Sequence, residues 1–320
     1  MKKNILVLGG TGFVGRSVCA KLIDRNGGGG GRIVVLPTRR IASGKHLQML
    51  PTLQLVEADI HDPAQLAKLV AGCDAVVNLV AVLQGDERRF EQVHVELPRR
   101  IATACLAAGV KRLIHVSAIG IAENAPSRYL RSKARGEKVL REAGLDLTVL
   151  RPSLIFGAHD KLLNLFATLQ SVAPFVPLAG ADSRYQPVWV DDVASAIVRC
   201  LDDDTTIGQT YECAGPDVMT LREIVRGAGR WAGCERPVIG LPGGVAALQA
   251  TLMELMPGEP LISRDNLASM TVPNVASGTL PGLDALGIRA TAMSAIAPGY
   301  LSRGQGPARL DSFRARARRS

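Results

Sequence analysis

Aromatic side chains are scarce: two Trp, four Tyr and six Phe make up 4% of the 320 residues. A surface that stacks bases needs more rings than this, which counts against nucleic acid as a partner. The six cysteines, at 19, 73, 105, 200, 213 and 234, form no CxxC pair and have no histidine cluster nearby. That argues against zinc and against a disulfide framework, and for buried thiols in a reducing cytoplasm. No stretch reads as a membrane span. The longest uncharged run, 162–181, contains Asn164, Gln170, Pro174 and Pro177, which would leave backbone groups unpaired in lipid. The opening MKKNILVLGG lacks the long apolar region and small-residue cleavage site of a secretory signal and reads as a first strand. No internal repeat is present. Acidic residues are in deficit, with a net charge of +9, but six arginines against Asp311 place +5 in the last eighteen residues. The body is close to balanced, so a solvated basic tail from 302 to 320 explains most of the excess.

What is present begins with ILVLGGTGFVG at 5–15. Four apolar residues suit a strand buried on both faces, and glycines follow at Gly9, Gly12 and Gly15. This spacing allows a tight turn, brings backbone close to a pyrophosphate and opens a helix, expected over 16–25, whose N-terminal amides favour negative charge. Thr11, Phe13 and Val14 complete the turn. Strand-like and helix-like stretches then alternate, the pattern of repeated βαβ units. Strands are expected at 32–36, 53–56, 75–82, 112–116 and 147–150. Helices are expected at 63–70, capped by Asp62, and at 90–108 and 128–143. The pentaglycine run 27–31 reads as a surface loop. The expected fold is therefore α/β, a Rossmann doubly wound parallel sheet over 1–152, to which a later segment around 185–200 returns. A smaller interleaved α/β substrate region occupies 153–301, with helices at 162–172, 190–201, 221–232 and 245–256 and a strand near 211–214.

Tyr129 and Lys133 lie four apart on the helix after the fifth sheet strand, so they share a face. An ammonium one turn away favours a phenolate, the state that lets a tyrosine exchange protons near neutral pH. Ser117 ends the preceding strand, where its hydroxyl can orient a carbonyl or alcohol. Strand C-termini are where such sheets bind ligands. Cofactor choice is read from the second strand. An NAD-selective site has Asp or Glu at its end, whereas Thr38, Arg39 and Arg40 stand here, and two guanidinium groups suit a 2′-phosphate. NADP(H) is therefore favoured over NAD(H), with Asp59 and Ile60 beside the adenine and Leu79, Val80 and Ala81 along the middle of the cofactor. No metal site is expected.

Taken together, GGTGFVG, NLVA at 78–81, VSA at 116–118, YLRSK at 129–133, RPSLIFG at 151–157 and VWVDDVA at 188–194 resemble the short-chain dehydrogenase/reductase superfamily. FEQVHVELPRRI, SRYLRSK, QPVWVDDVA and SRDNLASM are similar to its atypical, epimerase/dehydratase-like group, related to the dehydrogenase-like accessory subunit of respiratory complex I. The resemblance implies a bound NAD(P)H, with Ser117 orienting substrate and Tyr129 as acid or base. Lys133 would bind ribose and lower the tyrosine pKa, and Pro152 and Ser153 would border the cofactor. It also implies a second possibility, a nucleotide-bound module peripheral to the inner face of a membrane in a respiratory or quinone-related assembly. The apolar run 245–256 and the basic tail are the surfaces available for that contact. Many superfamily members carry Asn where this chain has His94, and use a backbone carbonyl there in a proton relay. The twelve residues from Ser117 to Tyr129 are fewer than in sugar-nucleotide epimerases, which counts against that substrate class.

Overall fold

The computed structural model describes residues 4–24, 33–255 and 262–302. The pentaglycine run and the basic tail from 303 lie outside the described residues. In chain order the elements begin β1 (Asn4–Leu8), α1 (Phe13–Asp24), β2 (Ile33–Thr38), β3 (Leu53–Glu57), α2 (Pro63–Val70), β4 (Ala75–Asn78) and α3 (Glu87–Glu91). They continue with α4 (Leu97–Ala107), β5 (Arg112–Val116), α5 (Arg128–Arg141) and β6 (Asp146–Pro152). Next come β7 (Ile155–Phe156), α6 (Lys161–Val172), β8 (Val176–Leu178), β9 (Arg184–Tyr185), β10 (Val188–Trp189), α7 (Val190–Asp202) and β11 (Thr210–Cys213). The chain closes with β12 (Met219–Thr220), α8 (Leu221–Trp231), β13 (Val238–Gly240), α9 (Gly243–Leu255), α10 (Arg264–Met270) and α11 (Met293–Leu301).

Two compact units result. The first comprises the described residues within Met1–Pro152, Val190–Cys213 and Ala276–Arg289; the second comprises those within Ser153–Trp189, Ala214–Val275 and from Ala290 on. In the first, seven parallel strands run in the order β11-β6-β5-β4-β1-β2-β3. β1 pairs with both β2 and β4, so the chain winds outward from it in two directions. Such a switch point leaves a crevice at the strand C-termini where α/β sheets bind ligands. Leu6, Leu8 and Val76 from the sheet pack with Leu66, Val70, Leu97 and Ile101 from α2 and α4, all buried. In the second unit α6, α8 and α11 share a core of Leu163, Ala167, Ile224, Ala228, Met293 and Ala297. Three short two-stranded ladders accompany them.

Three departures from expectation have local causes. Helix α1 starts at Phe13 rather than 16, because the Gly12 amide bonds back to the Gly9 carbonyl and the Arg16 amide already reaches Gly12. β4 stops at Asn78 rather than 82. The Asn78 side chain turns inward to His115 and its Oδ1 takes the Val80 amide, drawing the chain off the sheet. The single helix expected over 90–108 begins at Glu87 and is interrupted by a π-turn at Gln92–Glu96, where the Leu97 amide reaches back to the Gln92 carbonyl. Pro98 has no N–H to give the carbonyl four residues earlier, at His94, so regular α-helical bonding cannot continue there.

Candidate active site

The glycine turn follows β1, and its three glycines answer to close approach. Gly9 adopts φ +82°, and a Cβ there would lie 3.3 Å from the backbone of Leu79 and Val80. A Cβ on Gly15 would come within 2.4 Å of Cα and O of Gly10. The turn and the segment after β4 are therefore brought together, with the Leu79 amide bonded to the Leu8 carbonyl. Thr11, Phe13 and Val14 are half-buried around it, and Ala81 is exposed. At the ends of the neighbouring strands Arg39 and Arg40 expose their side chains. Asp59 Oδ1 accepts the His61 amide while Ile60 packs against the core of α2 and α4.

At the end of β5 the second group forms. Ser117 is buried, its amide bonds to the Leu150 carbonyl, and among the described residues its hydroxyl has no hydrogen-bond partner. Lys133, 2% exposed, donates from Nζ to the Val116 carbonyl at 2.8 Å, which places its ammonium beside that serine's strand end. Ser127 caps the helix that carries it by accepting the Leu130 amide. Desolvation pulls the Lys133 pKa down to about 8 against the opposing pull of Glu137. Glu137 is itself held ionised between Arg141 and Arg151. Tyr129, half-buried, is edge-on to Phe90 at 6.2 Å and to His94 at 5.5 Å. Its pKa is pushed up to about 12 by desolvation. Burial beside Phe90 and His94 thus acts on the phenol against the lowering expected from a neighbouring ammonium, and in this structure that ammonium is bonded to Val116.

Pro152 ends β6 and its carbonyl takes the Ile119 amide. Ser153 falls in the second unit, where its hydroxyl donates to Asn274 and accepts the Gln186 amide. Sequence reasoning considered His94 through its backbone carbonyl and assigned its side chain no part in the site. It is a buried, fully bonded ring between two elements of this unit, and the proline inside an expected helix was the available signal. The His94 carbonyl, the candidate relay group, lies against the backbone of α5, since a Cβ on Gly136 would sit 1.7 Å from it. Among the described residues no group of three His, Cys, Asp or Glu is placed to hold a metal ion.

Residues 5–214 match the NAD dependent epimerase/dehydratase family. The chain belongs to that family. Among its relatives is the mouse (Mus musculus) protein named NADH dehydrogenase (ubiquinone) 1 alpha subcomplex subunit 9, mitochondrial, 35% identical over 89% of this chain and 76% of that one. The 40 kDa subunit of NADH-ubiquinone oxidoreductase from Neurospora crassa is 30% identical over 82% of this chain and 68% of its own. Among solved structures, the UDP-glucose 4-epimerase of Thermotoga maritima superposes with a TM-score of 0.69 at 19% identity, covering 96% of this chain and 99% of that one. The last likeness is one of fold.

Proposed function

We propose that this protein binds a nicotinamide dinucleotide, NADP(H) in preference to NAD(H), and uses Ser117, Tyr129 and Lys133 to interconvert a carbonyl and an alcohol. The observation that carries the reading is the buried, unpartnered Ser117 hydroxyl at a strand C-terminus beside the anchored Lys133 ammonium. A buried hydroxyl without a partner calls for one, and a substrate oxygen at this strand end would supply it. The glycine turn fits a dinucleotide, because it presents bare backbone at a helix N-terminus where side chains would collide. When bound, the dinucleotide supplies the hydride donor or acceptor. Arg39 and Arg40 offer guanidinium groups to a 2′-phosphate. Lys133 has two N–H donors beyond the one given to Val116, enough for ribose hydroxyls. Ser117 orients the substrate oxygen, and the protonated Tyr129 phenol holds the proton that a carbonyl oxygen needs on becoming a hydroxyl.

Titration of both reduced dinucleotides into the full chain tests the cofactor assignment. NADPH should bind more tightly, and Arg39→Ala/Arg40→Ala should weaken NADPH by roughly 10–100-fold while NADH changes little. Equal affinity for both in the unaltered chain would defeat the NADP(H) preference.

A second reading has its own support. Helix α9 carries no charged residue before Glu254 and exposes Val245, Leu248 and Leu252 on one face. The relatives named above are subunits of a respiratory complex. This favours a nucleotide-bound subunit whose α9 meets an apolar face of a neighbouring subunit. Pull-down from a membrane fraction, with and without the basic tail, separates the two readings.

A further inference from the structure

His94 is 2% exposed and sits in the π-turn between α3 and α4. Its Nε2 lies 3.1 Å from the Val82 amide nitrogen, and its Nδ1 lies 2.8 Å from Ser132 Oγ. A backbone N–H can only donate, so Nε2 accepts. In the neutral ring the proton is then on Nδ1 and points to Ser132, whose own hydroxyl proton goes to the Tyr129 carbonyl at 2.8 Å. Ser132 Oγ both accepts and donates, and only one neutral tautomer of His94 satisfies all of these bonds. The ring is also stacked on Phe90 at 5.6 Å and edge-on to Tyr129 at 5.5 Å.

The two ends of this chain belong to the two halves of the candidate site. Val82 lies in the segment after β4 whose Leu79 and Val80 touch Gly9. Ser132 lies on α5 between Tyr129 and Lys133. Resting on the dinucleotide-dependent reading above, we infer that His94 is a positioning residue, a neutral imidazole bridge that holds the segment bordering the glycine turn in register with the helix turn bearing Tyr129 and Lys133. Burial beside Lys133 and His115 keeps the ring uncharged, pulling its pKa down to about 2. The ring therefore stays neutral, and the bridge intact, through the neutral pH range.

Two substitutions divide the bridge. His94→Gln places an amide oxygen near the Nε2 position and retains an acceptor for Val82 while losing Ser132; Ser132→Ala removes the same contact from the other side with less change in volume. With the full chain, the NADPH dissociation constant, the Tyr129 phenol midpoint from 13C-labelled tyrosine and the melting temperature are measured for each variant and for the pair. Each single variant should weaken NADPH by about tenfold, the scale of one lost buried hydrogen bond. Each should also move the Tyr129 midpoint down by roughly one unit as water gains access. The double variant should be no worse than either single one. Variants that lower the melting temperature while leaving both the dissociation constant and the Tyr129 midpoint unchanged would reduce His94 to a packing residue and overturn the inference. If the unaltered chain binds no dinucleotide, the functional reading fails separately, and the Tyr129 midpoint alone still decides the bridge.

Discussion

At the scale of single residues, the site pairs a phenol that is hard to ionise with an ammonium that is easy to discharge. Tyr129, pushed up to about 12, remains a proton donor through the neutral range. Tyr129→Phe should lower the rate of carbonyl reduction by about 10²–10⁴-fold, as measured by steady-state kinetics, with dinucleotide affinity nearly unchanged. Lys133 behaves in the opposite sense. Its folded pKa lies below its ordinary value, at about 8, so the ammonium is present below that pH and is lost as pH rises through it. Ribose hydroxyls are served by the charged form, so NADPH affinity should fall between pH 7 and pH 9 in a binding titration, and Lys133→Met should abolish that fall. Folding stability moves the other way. Between about 8 and the unfolded value, the unfolded chain binds the proton that the folded one has released, so this group makes the fold more stable as pH rises. Denaturant titrations across that window check the sign, and the opposed trends distinguish a loss of binding from a loss of structure.

Among elements, the β1–turn–α1 unit depends on close backbone contact. Gly15→Ala places a methyl 2.4 Å from backbone atoms that have no side-chain freedom to yield. The variant should lose dinucleotide binding and about 1–3 kcal/mol of stability, read from denaturant unfolding. This unit was legible in the sequence because its strand is apolar throughout and its glycines have a fixed spacing. Helix α2 was legible to the residue, since Asp62 and Pro63 mark its start by capping chemistry that is local to the chain. What escaped sequence reasoning depends on contacts distant in the chain. β4 ends early because Asn78 finds His115, thirty-seven residues away. The π-turn exists because Pro98 withholds an amide, and the role of the His94 side chain emerges only when Val82 and Ser132 are brought to it. Helix α11, with Pro298 inside it, has little helical pattern of its own and is held by the core it shares with α6 and α8. Ser117, Tyr129 and Lys133 could be picked out as candidates from order and spacing; the enclosure of the phenol by Phe90 and His94 could not, because it depends on the π-turn.

For the molecule as a whole, the first unit carries the candidate chemistry and the second, among the described residues, exposes an apolar face on α9. Leu248 and Leu252 are 60% and 58% exposed, so replacing them costs the fold little. Leu248→Lys/Leu252→Lys should leave the melting temperature within a few degrees and, on the subunit reading, abolish any recovery of the chain with a membrane-bound respiratory assembly; retention of the doubly substituted chain would exclude α9 as the contact. No helix among the described residues is long and apolar enough to cross a membrane. An enzyme and a nucleotide-bound subunit share the same glycine turn, and they part company at Ser117, Tyr129 and Lys133. The most direct measurement is NADPH oxidation by the full chain against a panel of carbonyl and quinone acceptors, with Tyr129→Phe in parallel. Acceptor-dependent oxidation that collapses in the Tyr129→Phe protein is the expected result. NADPH binding with no oxidation by any acceptor, or oxidation that Tyr129→Phe leaves unchanged, would contradict it.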